Sequence, residues 1–164
     1  MQDQPTPLLL TPYALRGVNL RNRNFVSPMS QYGSEPGGIV GDWHLVHLGK
    51  FALGGAGMVF CEETSVSERS RKTYDCPGIY TDAQAKAWQR VTGFLRANGA
   101  VPAMQIGHAG RKVATRAPWD GSPHSGRRMP RKAARPGPAL PPARSPSRQA
   151  HCCRRKWMRM TFAT

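Results

Sequence analysis

The alternation of strand and helix patterns between residues 13 and 106 constrains the fold more than any other feature of this 164-residue chain. Tyr13 to Leu20 reads as a hairpin turning at Arg16-Gly17, where glycine supplies the positive φ of a tight turn. Asn24 to Met29 reads as a first buried strand, ended by Ser27-Pro28 because proline has no N–H for a ladder. After a loop from Gly33 to Gly41, Asp42 can cap a helix running to Gly54. Its Trp43, Val46, Leu48 and Phe51 recur at helical spacing, and Gly54-Gly55 stops it. Met58 to Cys61 is a short continuous apolar run, the pattern of a strand buried on both faces. Thr81-Asp82-Ala83-Gln84 forms a capping box for a helix carrying Ala85, Trp88, Val91 and Leu95, closed by Asn98-Gly99. Val101 to Ile106 is the third strand. Hairpin, strand, helix, strand, helix, strand argues for a parallel α/β architecture. A doubly wound sheet and a (β/α)8 barrel share this opening, and periodicity alone does not separate them.

Several chemical motifs fail on their context. Gly54-Gly55-Ala56-Gly57 follows a helix and opens a strand, the reverse of a phosphate loop, so it reads as helix termination. Asp42, His44 and His47 lack the i, i+4 histidine pairing of a zinc helix, and no metal site is expected from them. His151-Cys152-Cys153 has ligand-type side chains without the neighbours that would orient them. Three segments are more informative because each lies where a strand would end: Ser27 to Tyr32, Cys61 to Thr64, and Gln105 to Lys112. In (β/α)8 enzymes the carboxyl ends of the strands build the active site. On spacing alone, polar residues capping strand ends would account for the same pattern.

Together these segments carry a resemblance. The opening L-R-G-V-N-L-R-N-R (Leu15 to Arg23), S-P-M-S-Q-Y (Ser27 to Tyr32), E-E-T-S-V (Glu62 to Val66) and Q-I-G-H-A-G-R-K (Gln105 to Lys112) occur in the order and spacing of the Old Yellow Enzyme family. The likeness covers residues 8 to about 121, roughly the first third of a family member, and is greatest to the bacterial xenobiotic-reductase-like branch. It implies the N-terminal part, about three strands, of an FMN-binding (β/α)8 TIM barrel whose hairpin closes the bottom. It also implies an FMN-dependent NAD(P)H oxidoreductase of ene-reductase type, acting on small enone-like molecules. By the same resemblance Ser27, Pro28 and Met29 line the isoalloxazine ring, with Ser30 near its C4 carbonyl and N5. Gln105 holds the pyrimidine edge, since an amide offers both donor and acceptor. Tyr32 stands beside the substrate. Glu63 falls where many relatives have a small residue against the flavin, and a carboxylate there makes reduction of the ring harder. The family's catalytic His-x-x-His or His-x-x-Asn pair, its substrate tyrosine, flavin-contacting arginine and phosphate loops come after the family's fourth-strand region, and by the resemblance none of them is matched here. Turnover by this chain alone is not expected. Three parallel strands also cannot close, which leaves two free edges and an apolar inner face.

Composition divides the chain at the point where the resemblance ends. Residues 1–121 hold 13 Lys/Arg against 9 Asp/Glu, a net of +4, whereas residues 122–164 hold 11 Lys/Arg and no acid, together the +15 of the whole chain. The second segment, with seven prolines and nine arginines in 43 residues, lacks the apolar surface to offset the entropy of ordering and reads as a disordered tail. One function for it is a nucleic-acid or acidic-surface binding arm, since each phosphate neutralised releases a counterion. Only Trp157 and Phe162 interrupt its basic and proline content, so stacking platforms are scarce. No run of about 18 apolar residues suggests a membrane span, and the start lacks the basic flank and apolar run of a secretory signal. Cytoplasm is the expected compartment, with Cys61, Cys76, Cys152 and Cys153 as free thiols.

The break at residue 121 generates a genetic prediction: residues 122–164 are a frameshifted reading of a gene that continues as a longer flavoprotein. Joining the third base of each codon to the first two of the next restores acids to the tail. Trp157-Met158 and Met160-Thr161 each force Asp in that frame, and Met129-Pro130 forces Ala. Sequencing the locus should find the shifted frame open and encoding a His-x-x-His or His-x-x-Asn pair; an early stop codon with no such pair refutes it.

Overall fold

The protein is described by a computed structural model, which covers residues 5–113, 115 and 117–120. The tail from residue 122 lies outside the described residues, as do the disorder and binding roles expected of it. Near the start, Leu8–Leu10 make one 3-10 turn that the sequence pattern did not suggest. A hairpin follows, with β1 (Tyr13–Leu15) antiparallel to β2 (Val18–Leu20) and Tyr13 opposite Leu20. Its turn needs left-handed backbone at two positions, and Arg16 at φ 47° shares that role with Gly17 at φ 83°.

Three parallel strands form the sheet: β3 (Phe25–Val26), β4 (Met58–Ser65) and β5 (Val101–Gly107), in the order β3-β4-β5. The register aligns Phe25 with Met58 and Met58 with Val101, so the strands start level and their carboxyl ends share one rim. Both ends differ from the sequence expectation. β3 stops at Val26 rather than Met29, consistent with the proline at position 28. β4 runs four residues past Cys61, through Glu62 to Ser65, almost wholly buried. An apolar-run criterion misses that extension because polar strand residues persist wherever neighbouring elements supply hydrogen-bond partners.

α1 (Asp42–Leu53) links β3 to β4 and α2 (Asp82–Ala97) links β4 to β5. α2 starts as the sequence predicts. The Thr81 hydroxyl accepts the Gln84 N–H while the Gln84 side chain accepts the Thr81 N–H, and Gly99 at φ 74° ends the helix. α1 departs in two respects. Gly41, not Asp42, is its N-cap, with no side-chain cap bond. Its buried face is His44, Leu48 and Ala52, whereas Trp43 and Val46, expected on the core side, are 57% and 68% exposed. Gly49 accounts for the rotation, since a Cβ there would stand 2.8 Å from a ring carbon of Phe94, so α1 approaches α2 through its glycine. The Gly54–Gly57 cluster terminates α1 as expected, with Gly55 at φ 90°.

The core lies between helices and sheet. Leu48 and Ala52 of α1 and Trp88, Val91 and Leu95 of α2 pack against Val59 and Cys61 of β4, with Ile79 beneath them. Both helices therefore cover one sheet face. By the two-residue period of a strand, Phe25, Phe60, Ala103 and Gln105 fall on the other face. Phe25 is 40% exposed there. Crossovers gathered on one side of sequentially ordered parallel strands are the opening of a barrel.

Trp88 centres this core. It is fully buried, and its indole N–H donates to the Gly78 carbonyl at 3.2 Å, tying α2 to the loop before it. Trp88→Ala should cost about 3–5 kcal/mol, read as a fall in the urea midpoint.

Candidate functional site

The carboxyl rim of the sheet is built around one irregularity. Cys61 pairs with Met104 and Thr64 with Ile106, so β4 spends three steps where β5 spends two. Glu62 and Glu63 are thus set against the single residue Gln105. Such a bulge re-aims side chains and often adjoins functional sites. Here it sends the two carboxylates to different places.

Glu62, 2% exposed, receives His44 Nε2 of α1 at 3.0 Å on Oε1 and the Gln31 N–H at 2.9 Å on Oε2. With both oxygens accepting, the imidazole Nε2–H must be the donor. His44 is 1% exposed and lies edge-on to Trp88, and its Nδ1 has no hydrogen-bond partner among the described residues. Glu63 is half-buried, and its carboxyl group lies across Gly107, where an added Cβ would stand 2.5 Å from Oε1.

The other residues expected at the site gather at the same rim. Ser27, Pro28, Met29 and Ser30 follow directly on β3, and Gln105 projects from the exposed end of β5. The side chains of Ser27, Ser30, Glu63 and Gln105 make no hydrogen bond or ion pair with another described residue, which leaves their polar atoms available to a ligand. Tyr32 adopts the left-handed backbone at φ 53°, costly for an aromatic residue. Its ring meets Trp119 edge-on with centroids 5.5 Å apart, and Trp119 itself is 66% exposed.

Sequence reasoning missed three participants: Glu62, His44 and Trp119. A signal existed for the first, since an acid inside an otherwise buried strand demands a partner. Among the described residues no three His, Cys, Asp or Glu side chains come together as a metal cluster. His44 is taken by Glu62, and His47 stacks on Trp43 with ring centroids 6.1 Å apart. Burial, then the Lys50 charge, hold the His47 ring below its ordinary pKa.

A parallel α/β sheet with helices on one face and polar side chains clustered at its carboxyl rim defines a part of a (β/α)8 barrel. The chain belongs to the NADH:flavin oxidoreductase / NADH oxidase family, whose model matches residues 8–136 and so runs past the compositional break at 121. It is 36% identical over 118 residues to an NADH:flavin oxidoreductase of Gibberella zeae, covering 72% of this chain and 28% of that protein. Among solved structures, morphinone reductase in complex with tetrahydroNAD aligns with a TM-score of 0.59 and 32% identity, covering 65% of this chain and 29% of that one. The Old Yellow Enzyme from Trypanosoma cruzi aligns with a TM-score of 0.59 and 28% identity, over 65% and 28% of the two chains. The chain thus spans less than a third of the length of each relative.

Cys61 and Cys76 are not nucleophiles of this site. Burial, and secondarily Glu62, push the Cys61 thiol far above its ordinary range, and burial raises Cys76 as well. Both should therefore stay protonated and resist iodoacetamide in the native protein while reacting in urea, as read by peptide mass spectrometry.

Proposed function

We propose that this chain forms the first part of the flavin face of an FMN-dependent NAD(P)H oxidoreductase of ene-reductase type. The observation that carries this reading is the set of unengaged polar side chains, Ser27, Ser30 and Gln105, standing together at the carboxyl rim of a sheet in this family. Their chemistry suits the flavin. Gln105 offers a donor and an acceptor to a ring edge that presents both, and the serine hydroxyls serve either role. Pro28 and Met29 supply the apolar surface on which a flat ring rests. Bound FMN would supply hydride transfer from its reduced form to an activated C=C bond of a small enone-like substrate.

The chain's own residues bind and orient. Ser30, after β3, and Gln105, on β5, fix the ring from the two sides of β4, Tyr32 borders the substrate, and the apolar inner face limits water. Glu63 brings a carboxylate to the same rim, opposing the negative charge that reduction adds. The family's carbonyl-binding pair of the His-x-x-His or His-x-x-Asn kind is not matched by the resemblance, and the His44-x-x-His47 of α1 is engaged elsewhere, His44 by Glu62 and His47 on Trp43, so on this reading the chain alone binds rather than turns over. Buried free thiols at Cys61 and Cys76 fit a reducing, cytoplasmic setting. The alternative of a basic nucleic-acid arm rests wholly on residues outside the described ones.

FMN titrated into the full chain should quench with a 1:1 end point, and Gln105→Ala should weaken binding by about tenfold, the worth of one or two hydrogen bonds. Absence of quenching at millimolar FMN would defeat the reading.

A further inference from the structure

The geometry points to Glu62 and His44 as a positioning pair that sets the flavin face, an inference that rests on the reading above. β3 ends at Val26, so the segment expected to line the ring leaves the sheet almost at once. Among the described residues, the one hydrogen bond tying Pro28 to Tyr32 onto the sheet is the Gln31 N–H to Glu62 Oε2, at 2.9 Å. Gln31 otherwise bonds within the segment, its side-chain amide donating to the Met29 carbonyl. One carboxylate thus fixes the height and angle of Ser27–Tyr32 against β4, and β5 carries Gln105 beside it. The bulge at Glu62–Glu63 is what turns that carboxylate away from the inner face.

Stability does not account for the pair. Exchanging a buried ion pair for apolar residues of similar volume is often neutral or stabilising. This pair also leaves His44 Nδ1 buried without a partner among the described residues, a cost that an apolar side chain would avoid. What an apolar pair could not do is accept the Gln31 N–H while held from α1. His44 keeps Glu62 in one rotamer, and Glu62 keeps the loop in one place. The leftover desolvation cost at Nδ1 accompanies a geometric role that packing alone would not fill.

Hydrogen exchange on the full chain, without FMN, tests the clamp directly. The Gln31 amide should exchange at least about tenfold more slowly than the amides of Ser27 and Met29; equal rates would overturn the proposal. The double variant His44→Leu/Glu62→Leu should keep or raise the thermal midpoint, lose Gln31 protection, and raise the FMN dissociation constant by about tenfold with a shifted flavin absorption band. Wild-type affinity and spectrum in that variant would equally refute it. Should the double variant not fold, Glu62→Gln decides. Its Oε1 can still accept the Gln31 N–H while its amide N–H donates to His44 in the other tautomer, so protection should persist, and its loss would count against the clamp. A wild-type chain that binds no FMN would sink the flavin reading while leaving the Gln31 exchange rates to judge the clamp.

Discussion

One buried carboxylate organises the carboxyl rim. Glu62 lies where three elements meet: it belongs to β4, takes a hydrogen bond from His44 of α1, and takes another from the loop that follows β3. A buried charge costs several kcal/mol unless paired and hydrogen-bonded, so its two partners are held to narrow positions. The His44 ring in turn lies edge-on to Trp88, the largest fully buried side chain of the core. The rim and the core therefore meet at a single histidine. A shift of α1 against α2 would move His44, Glu62 and the loop together.

The alternation of elements was legible in sequence because each boundary had local chemistry: a capping box at Thr81, a left-handed glycine at Gly99, a proline at Pro28. The side of α1 that faces the core was not. Apolar spacing favoured Trp43 and Val46, yet Gly49 lets the helix rotate against Phe94, and what packs inward is the polar His44 with Leu48 and Ala52. Hydrophobic periodicity cannot weigh a histidine whose partner lies 18 residues away on another element. The extension of β4 was missed for the same reason. Glu62, Thr64 and Ser65 look like loop residues until their partners are in place. The rim residues Ser27, Ser30 and Gln105 came from family likeness, and their unengaged state depends on how β3, β4 and β5 are set beside one another, which no local pattern encodes.

The two faces of the sheet divide the work of the fold. Helices, core and the Trp88 hydrogen bond all lie on one side, where apolar burial supplies the stability. The opposite side is left with Phe25, Ala103 and Gln105, too polar at its rim and too apolar at its centre to be an ordinary solvent face. A barrel resolves this by turning that side inward, so that the apolar residues fill the interior and the polar ones ring its mouth.

The bulge makes the rim asymmetric in charge as well as shape. Without the extra residue, β4 would present one side chain opposite Gln105; with it, two adjacent glutamates stand there and diverge. Glu62 is engaged by a histidine and a backbone N–H, so its charge is largely answered within the protein. Glu63, across Gly107, has no such partner among the described residues. Any potential that this stretch of β4 casts toward the open rim therefore comes mainly from Glu63. On the proposed reading it acts directly on the electron affinity of the flavin, while Glu62 acts only through geometry. Neighbouring residues of one type thus take separable roles, one in placing the ring and one in setting how readily it accepts charge. The division follows from a single inserted residue in a strand.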